Sequence, residues 1–249
     1  MISYPVKSTS SATVTSFLVH FFAFIINCIG VYNCHVHYVS PHHLTFGGVW
    51  KFLTYISMHT ALLSTGYAAV VDFIQLITGA FEDPDHFVKK VKPPKVFLVR
   101  DNLMSYWVFT LGSNVTLLFF GIATIDFQGI HPPEVEKIIP FFGWYNAYIH
   151  LFPLVFNITS LLTVNYYFSS FRTTFSCSII FGFSYLAWMS VVKRYSGYWP
   201  YGFLEKLSFV QFAIFVIFVI ILFTLLDLLG RKVASMVWGE SKREKYKSS

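Results

Sequence analysis

Residues 207–229 read LSFVQFAIFVIFVIILFTLLDLL, and this stretch decides the class of protein to which the chain belongs. Its only charged side chain is Asp227, close to the end of the stretch. An α-helix of about 20 apolar residues is long enough to cross the hydrocarbon core of a bilayer. We therefore predict a transmembrane helix at this position.

Five more apolar stretches of similar character precede it, at 14–33, 50–77, 103–125, 141–167 and 173–192. The composition agrees, because 55% of the residues are hydrophobic and only 12% are charged, whereas a soluble domain carries about 25% charged residues. The predicted fold is therefore all-α. Residues 1–230 form a polytopic bundle of six transmembrane helices, and residues 231–249 form a basic tail.

The distribution of lysine and arginine predicts how this bundle is oriented. Of the 18 basic residues, 13 lie in the N-terminus, the 79–102 connector, the 168–172 turn and the tail. Connectors rich in lysine and arginine usually face the cytosol. We therefore expect both termini, and the 79–102 connector, on the cytosolic side.

The tail also suggests a compartment. Lys245 and Lys247 occupy the fifth and third positions from the C-terminus, which is the spacing of a dilysine signal for retrieval to the endoplasmic reticulum. Such signals are addresses read by a receptor. We predict an integral membrane protein of the endoplasmic reticulum, with the plasma membrane as a second location; the alternative is a tail that is simply basic.

Composition and motifs also bear on partners and cofactors. The net charge of +6 arises in connectors, so we expect anionic lipid headgroups rather than nucleic acid as the counter-charge. The sequence contains no phosphate-binding glycine loop and no GxSxG motif. The histidines at 35, 37, 42 and 43 could bind zinc or copper adventitiously, but we predict neither a metal nor a cofactor. The oligomeric state is left open.

Polar residues within the predicted spans are the candidates for function, because they are costly in a bilayer. In span two, one helical face carries only small or polar residues, from Thr54 to Asp72. In span four, Asn146, His150 and Asn157 share a face, and Pro153 predicts a kink beside the histidine.

The predicted topology relates two of these residues. Spans two and four both run from lumen to cytosol, so Thr54 and His150 lie near the lumenal ends of parallel helices. A hydroxyl and an imidazole are the parts of a nucleophile–base pair. The alternative is a structural hydrogen bond between helices.

Several segments together resemble the androgen-induced protein family. They are TFGGVWKFLT at 45–54, Asp72, Arg100-Asp101, WYNAYIH at 144–150 and GYWPYGFLE at 197–205. The resemblance covers about residues 14–240, in order and with similar spacing. Two positions depart from the family pattern as we know it: Ala147 stands where a histidine is common, and Leu151 where a threonine is common.

The resemblance implies a six-span hydrolase that cleaves fatty acid esters of hydroxy fatty acids (FAHFA) through an acyl-threonine intermediate. It implies that Thr54 is the nucleophile and His150 the base. For such a reaction we expect Asn146 as an oxyanion donor or a supporting residue. Three cations are candidates to hold the substrate carboxylate: Lys51, Lys193 and Arg194.

Two other classes of function remain open at this point. A membrane adaptor or regulatory subunit would use the same polar residues only to hold helices together. A small transporter, or a haem or metal redox protein, would use His150 for proton or electron transfer. The distance between Thr54 and His150 discriminates best between these classes, since a hydrolase needs them within hydrogen-bond reach.

Overall fold

The computed structural model describes residues 10–78 and 95–238, and within these residues the regular secondary structure is entirely helical. The helices that build the body are α1 Ser10–Val36, α2 Leu53–Thr78, α3 Lys95–Ile125, α4 Trp144–His150, α5 Phe152–Thr163, α6 Phe171–Ser196 and α7 Phe209–Trp238. Many large apolar side chains lie exposed along them, including Phe22, Leu63 and Ile180. A lipid environment would cover these side chains. The all-helical prediction is confirmed for the described residues.

The number of long helices differs from the sequence prediction. Among the described residues, five helices (α1, α2, α3, α6 and α7) are long and apolar enough to cross a membrane. The predicted fourth span is divided at Leu151 into α4 and α5. Pro153 is the physical reason, because it has no N–H to donate to the carbonyl of Ile149 and its ring crowds that turn. The kink was predicted, but the count of six spans stays a prediction.

Helix α3 begins at Lys95, earlier than the predicted start at 103. Arg100 and Asp101 were assigned to a polar connector, yet both are buried inside the bundle. The Arg100 guanidinium contacts Asp72 of α2 at 2.5 Å and Asp101 at 2.7 Å. Because the charges are paired, the helix can continue through them.

The same helix contains a π-helical segment at Leu103–Leu111. This wider turn disturbs the regular ladder of backbone hydrogen bonds. Asn157 of α5 donates to the carbonyls of Val108 and Phe109 at 3.1 and 3.0 Å. Asn157 therefore has a structural role, and it joins α5 to α3.

The last helix is longer than predicted and continues to Trp238. Arg231, predicted to open the tail, binds Asp227 one turn earlier at 2.9 Å. Asp227 also accepts a hydrogen bond from Thr174 of α6 at 2.8 Å, so the charged residue of the last apolar stretch is an interior hydrogen-bond partner. Lys245 and Lys247 lie outside the described residues.

Three connectors cover one end of the bundle, where α2, α4 and α7 begin and α3 and α6 end. They are residues 37–52, 126–143 and 197–208. Lys206 pairs with Asp126 at 2.6 Å and so joins the third connector to the second. In the first connector, Gly47 has a φ of +84°, a left-handed conformation that disfavours a side chain. We call this end of the molecule the capped end.

Candidate active site

A cavity of about 780 Å³ lies beneath the three connectors at the capped end. Thr54, Asn146 and His150 contribute to its wall. Most of the remaining wall is apolar, from the inner faces of α3, α6 and α7. The volume falls within the range of ligand-binding pockets, about 300–1,000 Å³. The cavity is thus a largely apolar chamber, and Thr54, Asn146 and His150 form one group of polar residues in its wall.

Thr54 and His150 meet in this cavity. The Thr54 Oγ1 atom lies 3.4 Å from His150 Nε2. Thr54 is the second residue of α2, and His150 is the last residue of α4. A 3.4 Å distance is long for a hydrogen bond, but catalytic hydrogen bonds are often long before substrate binds. The structure therefore brings together the two residues that the sequence singled out.

Asn146 determines which nitrogen of His150 faces the threonine. Its Oδ1 lies 2.8 Å from His150 Nδ1, and its Nδ2 donates to the carbonyl of Phe141 at 2.8 Å. Because an amide oxygen only accepts, this network assigns the proton to Nδ1 and leaves a lone pair on Nε2. His150 is thereby presented to Thr54 as a base.

The imidazole is also held by stacking. The ring of Phe119, on α3, lies parallel to that of His150 with a centroid separation of 3.4 Å. Both rings are buried. Stacking on Phe119 and the hydrogen bond that His150 donates to Asn146 together leave the imidazole little freedom to rotate.

The geometry of Asn146 favours the supporting role over the oxyanion role. Both polar atoms of its amide are already engaged, one by His150 and one by Phe141. A donor for an oxyanion must be aimed at the position where charge develops. The bonds that Asn146 makes, its oxygen to His150 and one amide hydrogen to Phe141, are those of a supporting residue.

The three predicted carboxylate-binding cations lie elsewhere, and none lines the cavity among the described residues. Lys51 is fully buried, and its amine donates to the carbonyl of His42 at 2.6 Å and to Thr45. Lys193 is paired with Glu205, and Arg194 is exposed. Lys51 therefore holds the first connector in its fold. This arrangement does not favour a carboxylate-binding role for these three residues.

Sequence reasoning missed other polar groups at the cavity, notably Tyr185, Tyr201 and His131. His131 is buried and contacts Glu136 at 2.7 Å. His131 and Tyr201 come from connectors and Tyr185 from the middle of α6, so no helical period relates them to Thr54. Their only signal was the presence of Tyr201 in the GYWPYGFLE segment.

One histidine pair lies outside the cavity. His35 and His59 approach with their Nε2 atoms 3.1 Å apart. Within residues 10–78 and 95–238, however, no group of three or more His, Cys, Asp or Glu residues could hold a metal ion. His20 lies at the far end of the bundle, 2.6 Å from both Asp72 and the Tyr166 hydroxyl.

Comparison with known proteins places this chain in a family. Two curated proteins of Homo sapiens are similar to it. Androgen-induced gene 1 protein is 28% identical over 202 residues, which cover 81% of this chain and 83% of that protein. Androgen-dependent TFPI-regulating protein is 21% identical over 209 residues, which cover 84% and 86%. No solved structure matches.

The family comparison extends over nearly the whole chain. The match to the FAR-17a/AIG1-like protein family runs from residue 15 to residue 235. It includes most of α1, all of α2 to α6, almost all of α7, and both residues of the Thr54–His150 pair. The chain therefore belongs to the FAR-17a/AIG1-like family, whose members androgen-induced gene 1 protein and androgen-dependent TFPI-regulating protein it resembles along most of its length.

Proposed function

We propose that this membrane protein is a carboxylic-ester hydrolase that cleaves fatty acid esters of hydroxy fatty acids, with Thr54 as the nucleophile. The observation that carries the proposal is the 3.4 Å approach of Thr54 Oγ1 to His150 Nε2 at the wall of an apolar cavity. The substrate class comes from the resemblance of the sequence to the androgen-induced protein family.

The geometry supports a two-step reaction. Thr54 Oγ1 attacks the ester carbonyl and forms a C–O bond, while its proton passes to His150 Nε2. When the tetrahedral intermediate collapses, the bond to the hydroxy fatty acid breaks and His150 returns the proton to that leaving oxygen. Water, deprotonated by the same histidine, then releases the fatty acid from the acyl-threonine and restores the hydroxyl of Thr54.

The residues that line the cavity support a place for each part of a lipid ester. We call the part of the wall contributed by α6 and α7 the first limb, and its residues are Ser178, Phe181, Gly182, Val216, Val219, Ile220 and Phe223. The second limb is the part contributed by the connectors, with His42, His43, Gln128, His131, Glu134 and Glu205. An acyl chain belongs in the first limb, since its wall is almost wholly apolar. The free carboxylate belongs in the second limb, close to water.

The same proposal includes a location. The six spans follow from the six apolar stretches of the sequence, and the cytosolic termini follow from the distribution of lysine and arginine. Residence in the endoplasmic reticulum, with the plasma membrane as a second site, follows from the terminal lysines. The capped end, with Thr54 and His150, would then face the lumen. Branched lipid esters in the bilayer are the partners; nucleic acid is not expected.

The proposal is tested by measuring FAHFA hydrolysis in membranes that contain Thr54→Ala or His150→Ala. Each variant should lose at least about 10³-fold in kcat, and the double variant should lose little more, because the two residues act as one unit. Thr54→Ser keeps a hydroxyl and should retain turnover. A fluorophosphonate probe should label the wild type and Thr54→Ser but not Thr54→Ala.

Ser57→Ala is a matched control, since Ser57 lies one turn further along α2 and is buried. It should hydrolyse ester at close to the wild-type rate. If Thr54→Ala were as active as the wild type, the nucleophile assignment would be wrong. If the wild type itself cleaved no lipid ester and took no label, the adaptor interpretation would replace the hydrolase.

A further inference from the structure

The proposed hydrolase needs a group that stabilises negative charge on the carbonyl oxygen as Thr54 attacks. Asn146 uses its oxygen on His150 and one of its two amide hydrogens on Phe141. We therefore looked for a further donor on the wall of the cavity. It must lie beside the start of α2, because the attacked carbonyl will lie there.

Tyr201, in the third connector, satisfies this requirement. Its hydroxyl oxygen accepts a hydrogen bond from the backbone N–H of Leu53, the residue before Thr54, at 2.8 Å. Tyr201 and Thr54 both line the cavity. The bond to Leu53 anchors the phenol next to the nucleophile, although the two residues are far apart in the sequence.

The protons around Tyr201 can be accounted for. Its oxygen accepts from Leu53, so its own O–H is still available to donate. The neighbouring Tyr185 hydroxyl donates to the carbonyl of Lys51 at 2.9 Å and lies 3.3 Å from the Tyr201 oxygen. Without substrate, the Tyr201 O–H thus has only the Tyr185 oxygen as an acceptor, at the long distance of 3.3 Å. It can leave this weak acceptor and donate to the oxyanion of the substrate.

Two further features suit this role. Burial raises the pKa of Tyr201 above its usual value, so the phenol stays protonated and remains a donor. Thr54 is the second residue of α2, and its own N–H is one of the amides that has no acceptor within the helix. The partial positive charge at the start of α2 would also stabilise a negative charge on the carbonyl oxygen.

We propose that the Tyr201 hydroxyl is a catalytic residue that donates a hydrogen bond to the oxyanion formed when Thr54 attacks the ester. The Thr54 N–H serves as the second donor. This inference rests on the proposed function and adds a residue to its site. The donor does not exchange a proton with the substrate; it only stabilises charge on the carbonyl oxygen until the intermediate collapses.

The first measurement is the hydrolysis of a FAHFA ester by Tyr201→Phe. Removing one oxyanion donor should lower kcat by about 10²–10³-fold with little change in KM. Tyr185→Phe is the matched control, since it removes a buried hydroxyl from the same wall that also bonds to backbone. We expect Tyr185→Phe to retain most of the wild-type kcat.

The second measurement separates charge stabilisation from simple packing. A thionoester, in which sulfur replaces the carbonyl oxygen, is a poor hydrogen-bond acceptor. The wild type should therefore prefer the oxygen ester strongly, and Tyr201→Phe should reduce that preference by at least about 10-fold. A slower Tyr201→Phe with an unchanged preference would mean a structural role, and it would overturn the inference.

A third variant covers the case in which Tyr201→Phe does not fold. Tyr201→3-fluorotyrosine keeps the ring and the acceptor for Leu53 and makes the phenol a stronger donor. It should increase the preference for the oxygen ester, and an unchanged preference would again refute the role. Failure of the proposed function is recognised separately, because the wild type would then hydrolyse neither ester.

Discussion

At the scale of single residues, the site depends on what each polar group already binds. Asn146 illustrates this, because its two bonds determine the tautomer of His150 and thereby which nitrogen faces Thr54. The arrangement parallels the orienting role of the third residue in a nucleophile–base–acid triad. Asn146 is a positioning residue by this criterion.

The prediction at this scale concerns Asn146. Asn146→Ala should lower kcat for ester hydrolysis by about 10²–10⁴-fold, because the Nδ1 proton loses its acceptor and the wrong tautomer becomes populated. Asn146→Asp keeps an acceptor for Nδ1 and should retain far more activity. The check is steady-state kinetics on both variants together with their melting temperatures.

Equal losses in the two Asn146 variants, at unchanged melting temperature, would contradict this account. They would indicate that the donor side of the amide, which binds the Phe141 carbonyl, is the part that matters. Rescue by aspartate is therefore the decisive comparison, since both variants remove the donor but only alanine removes the acceptor.

At the scale of elements, α6 and α7 form the walls of the limb that we assign to the acyl chain. Gly182 lies in this wall, opposite Ile220 of α7. A Cβ atom built on Gly182 would meet Ile220 at 3.5 Å, which is ordinary van der Waals contact. Alanine should fit at this position, whereas a large side chain must occupy the cavity or push the helices apart.

Gly182→Trp should therefore change chain-length preference rather than chemistry. We expect kcat/KM for long acyl chains to fall by about 10–200-fold relative to short ones, the range associated with small changes of fit in an apolar pocket. Gly182→Ala is the control and should leave the profile nearly unchanged. A uniform loss across all chain lengths would place the acyl chain elsewhere.

At the scale of the whole molecule, a buried charged network lies at the end opposite to the cap. Asp72 lies on the same helix as Thr54 but about 27 Å further along, at about 1.5 Å per residue. Asp72 accepts from Ser16 at 2.6 Å and contacts His20 and Arg100. The network thereby connects α1, α2 and α3, and it extends to Tyr166 through His20.

Removing one partner from this network should destabilise the whole bundle. Asp72→Ala leaves Arg100 and His20 buried without their shared carboxylate, and we expect a loss of about 3–5 kcal/mol in unfolding free energy. Glu205→Gln, which breaks the exposed pair with Lys193, should cost about 1 kcal/mol or less. The unfolding free energies of both variants can be measured in detergent. Equal losses in Asp72→Ala and Glu205→Gln would contradict the assigned role of the network.

Much of this architecture is readable from the sequence. Length and hydropathy predicted the five long helices, because a bilayer requires long apolar runs and lets each be recognised without its neighbours. The face of α2 that carries small and polar residues in the sequence points into the bundle, since Ser57, Ser64, Ala68 and Asp72 are buried. The approach of Thr54 to His150 followed from helix direction and depth.

Only the tertiary structure decided the polar contacts of the site and the true extent of α3. The partners of Lys51 and Asn146 depend on how connectors fold over the bundle, and no periodicity in the sequence encodes those contacts. The extension of α3 through Arg100 and Asp101 required the distant Asp72 to neutralise charge. Tyr201 reaches Leu53 across 148 positions. Sequence alone specifies which segments enter the membrane, whereas the polar contacts of the site depend on long-range packing between segments.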